Sequence, residues 1–221
     1  MVMSRDYGQY CGLARALDVV GDRWNLLIVR QLLMGPARYR ELHDGLSGIA
    51  TNLLTDRLRD LQSAGVVQRR LSEDGKASTY ALTDWGEQLR EPIYALVRWS
   101  TPLMIRGPGG DEFRGEWLRL ALPALFAGRS TLGRSVVVAV AVDGGTVQLQ
   151  GTPAGIEVGA PDGSALDAVL TAEAPLVLGL AAGALSLGDV TALVEIDGDE
   201  SALRAVFEAP TALPGISRGA P

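Results

Sequence analysis

Cysteine and histidine are all but missing from this chain: Cys11 and His43 are each the only residue of their kind among 221. A single cysteine excludes an intramolecular disulfide, and one cysteine with one histidine is too small a donor set for a structural zinc site. Long uncharged runs are missing as well. The longest, Ala174 to Gly188, has 15 residues and is interrupted by Pro175 and two internal glycines, whereas a membrane-spanning helix needs about 20 apolar residues. Met1 to Tyr10 carries Arg5 and Asp6 and has no apolar stretch of the signal-peptide kind, so a cytoplasmic protein is expected. Glycine-rich phosphate loops, Ser–His arrangements and metal-ligand spacings are not found. Carboxylates do occur in pairs, Asp111-Glu112 and Asp199-Glu200, but at turns and helix starts, where solvated caps account for them. The sequence reads as a non-enzyme without a cofactor.

Apolar residues make up 47% of the chain and charged residues 21%, which suits a folded protein, and the length suits two domains with separate cores. The net charge of −6 argues at first against a nucleic-acid partner. It is unevenly spread. Residues 1 to 106 hold 14 Lys and Arg against 12 Asp and Glu, a net +2, while residues 107 to 221 hold 6 against 14, a net −8. DNA affinity in the first half would therefore rest on a few well-placed arginines.

The stretch from Ile49 to Gly65, IATNLLTDRLRDLQSAG, has the pattern of an amphipathic helix. Leu54, Leu58 and Leu61 form one apolar stripe. The other face offers Thr51, Asn52, Thr55, Arg57 and Arg59, whose amide, hydroxyl and guanidinium groups suit base edges and phosphates. Three helices are expected before it. Tyr10 to Val20 carries Leu13, Ala14, Leu17 and Val20 at helical spacing, with Gly21 expected to stop it at positive φ. Asp22 is expected to cap the next, striped by Trp24, Leu27, Ile28 and Leu32 and broken by Gly35-Pro36. Ala37 to Leu46 gives a short third helix with Tyr39, Leu42 and Leu46 inward, and Ser47-Gly48 turns into the fourth.

After Gly65 the period becomes alternating. Val66 to Leu71 and Ser78 to Leu82 have strand composition around a turn-rich 72–77 segment, so a hairpin with Lys76 at its tip is expected. Arg69, Arg70 and Lys76 are placed to meet phosphates beside the groove, or else to be an ordinary solvated hairpin. Thr83 is expected to cap one long helix striped by Trp85, Leu89, Ile93, Leu96 and Val97 and bent at Pro92. So small a domain leaves that stripe uncovered. A partner subunit would cover it and set two recognition helices on successive major-groove faces.

The run CGLARALDVVGDRWNLLIVRQLLMGPARYRELHDGLSGIATNLLTDRLRDLQSAGVVQRR, followed by YALTDWG and ending near RWS, resembles the HxlR-type winged-helix transcription regulators of bacteria. The resemblance covers roughly residues 10 to 100. It joins the early cysteine, the D-x-W of Asp22 to Trp24, the G-P-x-R-Y-x-E-L turn and helix, and the L-T-x-R-L-x-x-L helix in order. It implies a homodimer on a palindromic operator in double-stranded DNA, with helix 49–65 in the major groove and wing 66–82 beside it. The DNA-contacting candidates are Arg38, Thr51, Asn52, Thr55, Arg57 and Arg59, with Arg69, Lys76 and Ser78 on the wing. At Ala50 the chain departs from the serine usual in such regulators, and Thr51 is the substitute cap.

Ile105 to Gly110 is a linker by composition, separating domain 1–104 from domain 111–209 and a 210–221 tail. A helix is expected over Asp111 to Gly128, then strands Ser135–Val142, Thr146–Gln150 and Ile156–Val158, a strand Ala168–Thr171, an apolar helix Ala174–Ala182, a strand Leu193–Ile196 and a helix Glu200–Phe207. The fold class is α+β: a winged helix-turn-helix with a long dimerisation helix, then a small antiparallel sheet covered by helices. The order of elements and the Ile196-Asp197-Gly198-Asp199 ending resemble the sterol carrier protein-2-like domain, over about residues 111 to 209. That resemblance implies a tunnel for an apolar small molecule lined by Trp117, Leu118, Leu122, Leu125, Leu176, Val177 and Leu180. A plain core explains the same residues. An apolar-metabolite carrier whose first half only dimerises is the competing function. Cys11 likewise has two readings: a redox or electrophile sensor with Arg15 one turn away, as in several such regulators, or a small residue packed at a dimer interface.

Overall fold

The computed structural model describes residues 6–71, 78–104, 107, 109–131, 133–143 and 145–209. By internal contact the chain divides into two units, Met1–Ile93 and Tyr94–Pro221.

The first unit opens with four helices, α1 (Gly12–Val20), α2 (Asn25–Leu33), α3 (Tyr39–Asp44) and α4 (Thr51–Ser63). Ile28, Val29, Leu32, Leu42, Leu46, Leu54, Leu58 and Leu61 are buried together with Val66, Val67, Ala81 and Leu82 of the hairpin behind α4. Repeats at i, i+3, i+4 and i+7 build that core. Strands β1 (Val67–Leu71) and β2 (Ser78–Leu82) pair antiparallel, with Val67 opposite Leu82 and Leu71 opposite Ser78. The expected wing is present, although the 72–77 turn with Lys76 lies outside the described residues.

Three local expectations fail for identifiable reasons. Gly21 has φ −74, in the ordinary right-handed region. Space is what requires glycine there, since a Cβ would lie 2.5 Å from Leu17 O. The residue at positive φ is Trp24, at 85°, and Trp24 rather than Asp22 occupies the N-cap position of α2. The long helix after the wing is two helices, α5 (Asp84–Glu87) and α6 (Arg90–Met104). Thr83 does cap the first, its Oγ1 accepting from Gly86 N at 3.0 Å. Pro92 has no N–H to give to the carbonyl of Gln88, so the chain restarts and places the proline in the first turn of α6, where no donor is missed. Of the expected stripe, Ile93 is buried and Leu89 and Val97 are half-buried, while Trp85 and Leu96 are exposed, as are Trp99 and Leu103 further along α6.

The second unit places α7 (Leu118–Phe126) after a short 3-10 turn, Gly115–Trp117, and then β3 (Val136–Val142), β4 (Gly145–Thr152), β5 (Gly155–Gly159) and β6 (Ala168–Thr171). Helices α8 (Ala174–Ala181) and α9 (Leu187–Val190), strand β7 (Glu195–Gly198) and helix α10 (Glu200–Phe207) complete it. The sheet order is β5-β4-β3-β6-β7. It is mixed, not antiparallel as expected, because β6 runs parallel to β3 with Val138 opposite Ala168 and Thr171 opposite Ala141. The segment 160–167 carries the chain back across the sheet before β6 starts. Its course is fixed at both ends: Gln148 Nε2 donates to Asp162 Oδ1 at 2.9 Å, and Asp167 Oδ2 accepts from Val137 N at 2.7 Å. Val136, Val138, Val140 and Val142 alternate onto the face that α7, α8 and α10 cover, joining Leu122, Phe126, Val177, Leu180 and Phe207 in one core. Helix α9 went unforeseen; Ser186 caps it, accepting from Asp189 N at 3.3 Å. Among the described residues no helix is long and apolar enough to cross a membrane.

Candidate nucleic-acid interface

Helix α4 sorts its side chains into two sets. Leu54, Leu58 and Leu61 are buried, while Thr51, Asn52, Thr55, Asp56 and Arg59 are exposed on the other side. Ala50 occupies the N-cap position and gives the helix no side-chain acceptor, so the departure from serine stands and Thr51, the first helical residue, does not replace it. Asn52 Oδ1 accepts from Leu53 N at 2.9 Å, which leaves the amide NH2 outward. The remaining first-turn N–H groups are the usual attraction of a helix start for a phosphate.

The turn before α4 is latched by a tyrosine that sequence reasoning placed only in the core. Tyr39 Oη donates to Thr51 O at 2.7 Å and lies 3.3 Å from Thr55 Oγ1, while Thr55 Oγ1 also donates to Thr51 O at 3.0 Å. Tyr39 thus ties α3 to the first turn of α4, and the Thr55 hydroxyl is engaged within the protein. Its methyl group remains the outward part. The Tyr39 ring also stacks on His43 at 6.4 Å. Arg38 is the exposed residue before α3, and its backbone N–H is held by Glu41 Oε2 at 2.6 Å.

The arginines differ in what already holds them. Arg59 is 67% exposed and, among the described residues, pairs with its neighbour Asp56 at 2.9 Å, a surface pair of the kind worth about 0–1 kcal/mol, which a phosphate can displace. Arg69 extends over the Tyr80 ring, its guanidinium 5.6 Å from the centroid, and donates to Ser78 Oγ at 2.7 Å. That brings two of the wing candidates together. Arg57 behaves differently: it pairs with Asp22 and, at 3.2 Å, with Asp60, and its side chain is only 18% exposed.

Cys11 is exposed, at the N-cap position of α1. The backbone N–H groups of Ala14 and then Leu13, at the start of the helix, hold its pKa below the ordinary thiol value, although the thiol makes no formal capping bond. Arg15 plays no part in this, because its guanidinium is committed to Asp6 at 3.0 Å and Asp18 at 3.4 Å.

In the second unit, Leu118, Leu122, Val177 and Leu180 are fully buried in the main cluster, with Leu125 and Leu176 packed against it. Trp117 is half-buried, edge-on to Phe113 at 6.1 Å. A concavity of about 510 Å³ lies elsewhere in that unit, where Ala141–Asp143, Thr171–Glu173 and Ala192–Glu195 come together beyond the C-terminal ends of β3 and β6.

The profile of the family described as HxlR-like helix-turn-helix matches residues 19–106. The chain is 35% identical over 88 residues to the HTH-type transcriptional regulator YvaP of Bacillus subtilis, a match spanning 39% of this chain and 82% of that one. It is 37% identical over 98 residues to the HTH-type transcriptional regulator Rv3095 of Mycobacterium tuberculosis, spanning 44% of this chain and 61% of that one. Among solved structures, the reduced form of the transcriptional regulator YodB from B. subtilis aligns with 46% of this chain and 99% of that one, at 27% identity and a TM-score of 0.38. With the helix-turn-helix and its wing in place, this chain belongs to the HxlR-like helix-turn-helix family of transcriptional regulators.

Proposed function

We propose that the protein is a homodimeric regulator that sets α4 in the major groove of a palindromic operator, lays the β1–β2 wing beside it, and answers to an apolar small molecule in its second unit. The carrying observation is the two-sided character of α4: a buried leucine stripe beneath an outward face of Thr51, Asn52 and Arg59. Asn52 and Thr55 are the candidates for base contact, Arg59, Arg69, Lys76 and Arg38 for phosphates, and Ser78 acts by holding Arg69. The dimer is supported by exposed Leu13 and Leu17 on α1, and by Leu96, Trp99 and Leu103, which share one face of α6. A hydroxyl-radical footprint on promoter DNA tests this reading. Two protected patches one helical turn, about 34 Å, apart are expected; uniform or absent protection contradicts it.

The second unit supports a sensing role because it is a separate folded core with an acidic surface that adds nothing to phosphate attraction. Its order of strand, apolar helix, strand and helix resembles that of a sterol carrier protein-2-like domain. Coupling between ligand and operator is bounded by the ligand's differential affinity for two spacings of the recognition helices, about 1–3 kcal/mol. Thermal shift against fatty acids and sterol-like compounds, followed by titration of any stabilising compound into the operator complex, tests that half. A second reading, a thiol sensor, is favoured by the exposure of Cys11 and its lowered pKa.

A further inference from the structure

Arg57 looks from the sequence like a phosphate contact, one of two arginines on the recognition helix. Its surroundings assign it another task. It lies three residues after Leu54 and one before Leu58, at the border of the buried stripe, and its side chain is 18% exposed where that of Arg59 is 67% exposed. Its Nη1 meets the carboxylates of both Asp22 and Asp60. One positive charge between two negative ones does not attract a phosphate; an incoming phosphate would first have to displace a carboxylate already paired with the guanidinium.

Asp22 is 35 residues away in sequence, and it is delivered to Arg57 by a turn that is closely held. Gly21 N donates to Leu17 O at 2.9 Å, and Asn25 N donates to Asp22 O at 3.1 Å. Asn25, almost fully buried, donates Nδ2 to Val19 O at 2.9 Å. Between them Trp24 sits at φ 85. A bulky residue is kept in that region only where the surroundings over-determine it, and such strain marks places where geometry matters. Helix α1, which leads into this turn, packs against α4. The Asp22–Arg57 pair therefore joins the α1–α2 turn to the middle of the recognition helix.

We infer that Arg57 is a positioning residue for operator recognition: with Asp22 it fixes the angle of α4 against the α1–α2 turn, and it contacts no phosphate. This rests on the proposal that α4 reads DNA.

The test measures binding of the full chain to promoter DNA and to random DNA across a salt series. Variants Arg57→Gln, Arg57→Lys, Asp22→Asn and the double variant Asp22→Asn/Arg57→Gln are compared. Lysine keeps the charge but not the planar guanidinium whose Nη1 reaches Asp22 and Asp60 together, so a phosphate contact tolerates it and a positioning pair does not. Each single variant is expected to lower promoter affinity about tenfold, with the double no worse than either single, as for residues acting as a unit. Random-DNA affinity and the slope of log K against log salt stay unchanged. A slope flatter by about one unit for Arg57→Gln, with promoter and random affinity falling together, overturns the inference. So does a wild-type promoter affinity for Asp22→Asn or Arg57→Lys. Should Arg57→Gln not fold, Arg57→Lys and Asp22→Asn carry the comparison alone. Arg59→Ala and Arg69→Ala separate the two claims: if neither alters the slope, DNA reading by α4 itself fails, whereas a flatter slope in both with Arg57 unaffected leaves only the positioning role at issue.

Discussion

Tyr39 Oη donates a 2.7 Å hydrogen bond to Thr51 O, so the helix before the recognition helix grips the latter's first turn. The contact spans the Ser47-Gly48 turn and fixes the angle between the two helices. Tyr39→Phe keeps the ring stacked on His43 and removes only the hydroxyl. It is expected to cost about 0.5–1.5 kcal/mol of stability in chemical denaturation and to lower promoter affinity more than random-DNA affinity. Equal losses on both DNAs would show that the latch does not orient α4.

Asp162 and Gln148 bond reciprocally, Asp162 N donating to Gln148 Oε1 at 3.2 Å in addition to the bond from Gln148 Nε2. Hydrogen bonds from the Ser164 hydroxyl and backbone, then from Gln148, lower the Asp162 pKa from 3.8 to about 2. Asp199 is lowered likewise, by Ser201 first and Arg134 after. A carboxylate whose folded pKa is depressed stabilises the fold above its unfolded pKa and loses that contribution as pH falls through the folded one. The second unit should thus lose stability between pH 3.8 and about 2. Calorimetry of Asp162→Asn should show a less stable protein at pH 5 whose melting temperature converges on the wild type near pH 2. Parallel curves would contradict this.

Arg129 is 5% exposed and has no carboxylate partner among the described residues. Its Nη1 reaches Phe207 O at the end of α10 only at 3.4 Å, its plane lies over Phe126 at 5.6 Å, and burial lowers its pKa. Desolvating a cation for so little return disfavours the fold. Arg129→Met, with similar length and no charge, is expected to raise the melting temperature of the second unit. A fall would mean that the α10 carbonyl and the ring offset the desolvation.

For Cys11, the exposure and the N–H donors predict faster alkylation at neutral pH than a free thiol of ordinary pKa shows. Labelling kinetics on the native protein measure this directly. Slow labelling that speeds up on dilution to monomer would instead place Cys11 in the subunit interface.

Periodicity carried most of the fold into view. The leucines of α4, the alternation on either side of 72–77 and the apolar strand 136–142 lie where residue spacing alone placed them, because burial on one face is what selects those spacings. What stayed hidden depended on partners distant in the chain. Asp22 reads as a helix cap until Arg57 is found beside it, and Arg57 reads as a DNA contact for the same reason. The parallel pairing of β6 with β3 rests on where the 160–167 segment crosses, which Gln148 and Asp162 decide across 14 residues. Tyr39 carried both signals at once, an apolar ring at a helical position and a hydroxyl whose acceptor lies in the next helix.

The most direct measurement of the central claim, that the outward face of α4 reads DNA sequence, is fluorescence anisotropy of the full chain on promoter and random duplexes for Asn52→Ala and Arg59→Ala. Asn52→Ala should lower promoter affinity by about 1–3 kcal/mol while leaving random-DNA affinity and the salt slope unchanged. Arg59→Ala should weaken both duplexes alike and flatten the slope by about one unit. A protein that binds promoter and random DNA equally, or in which neither substitution alters binding, would contradict the account.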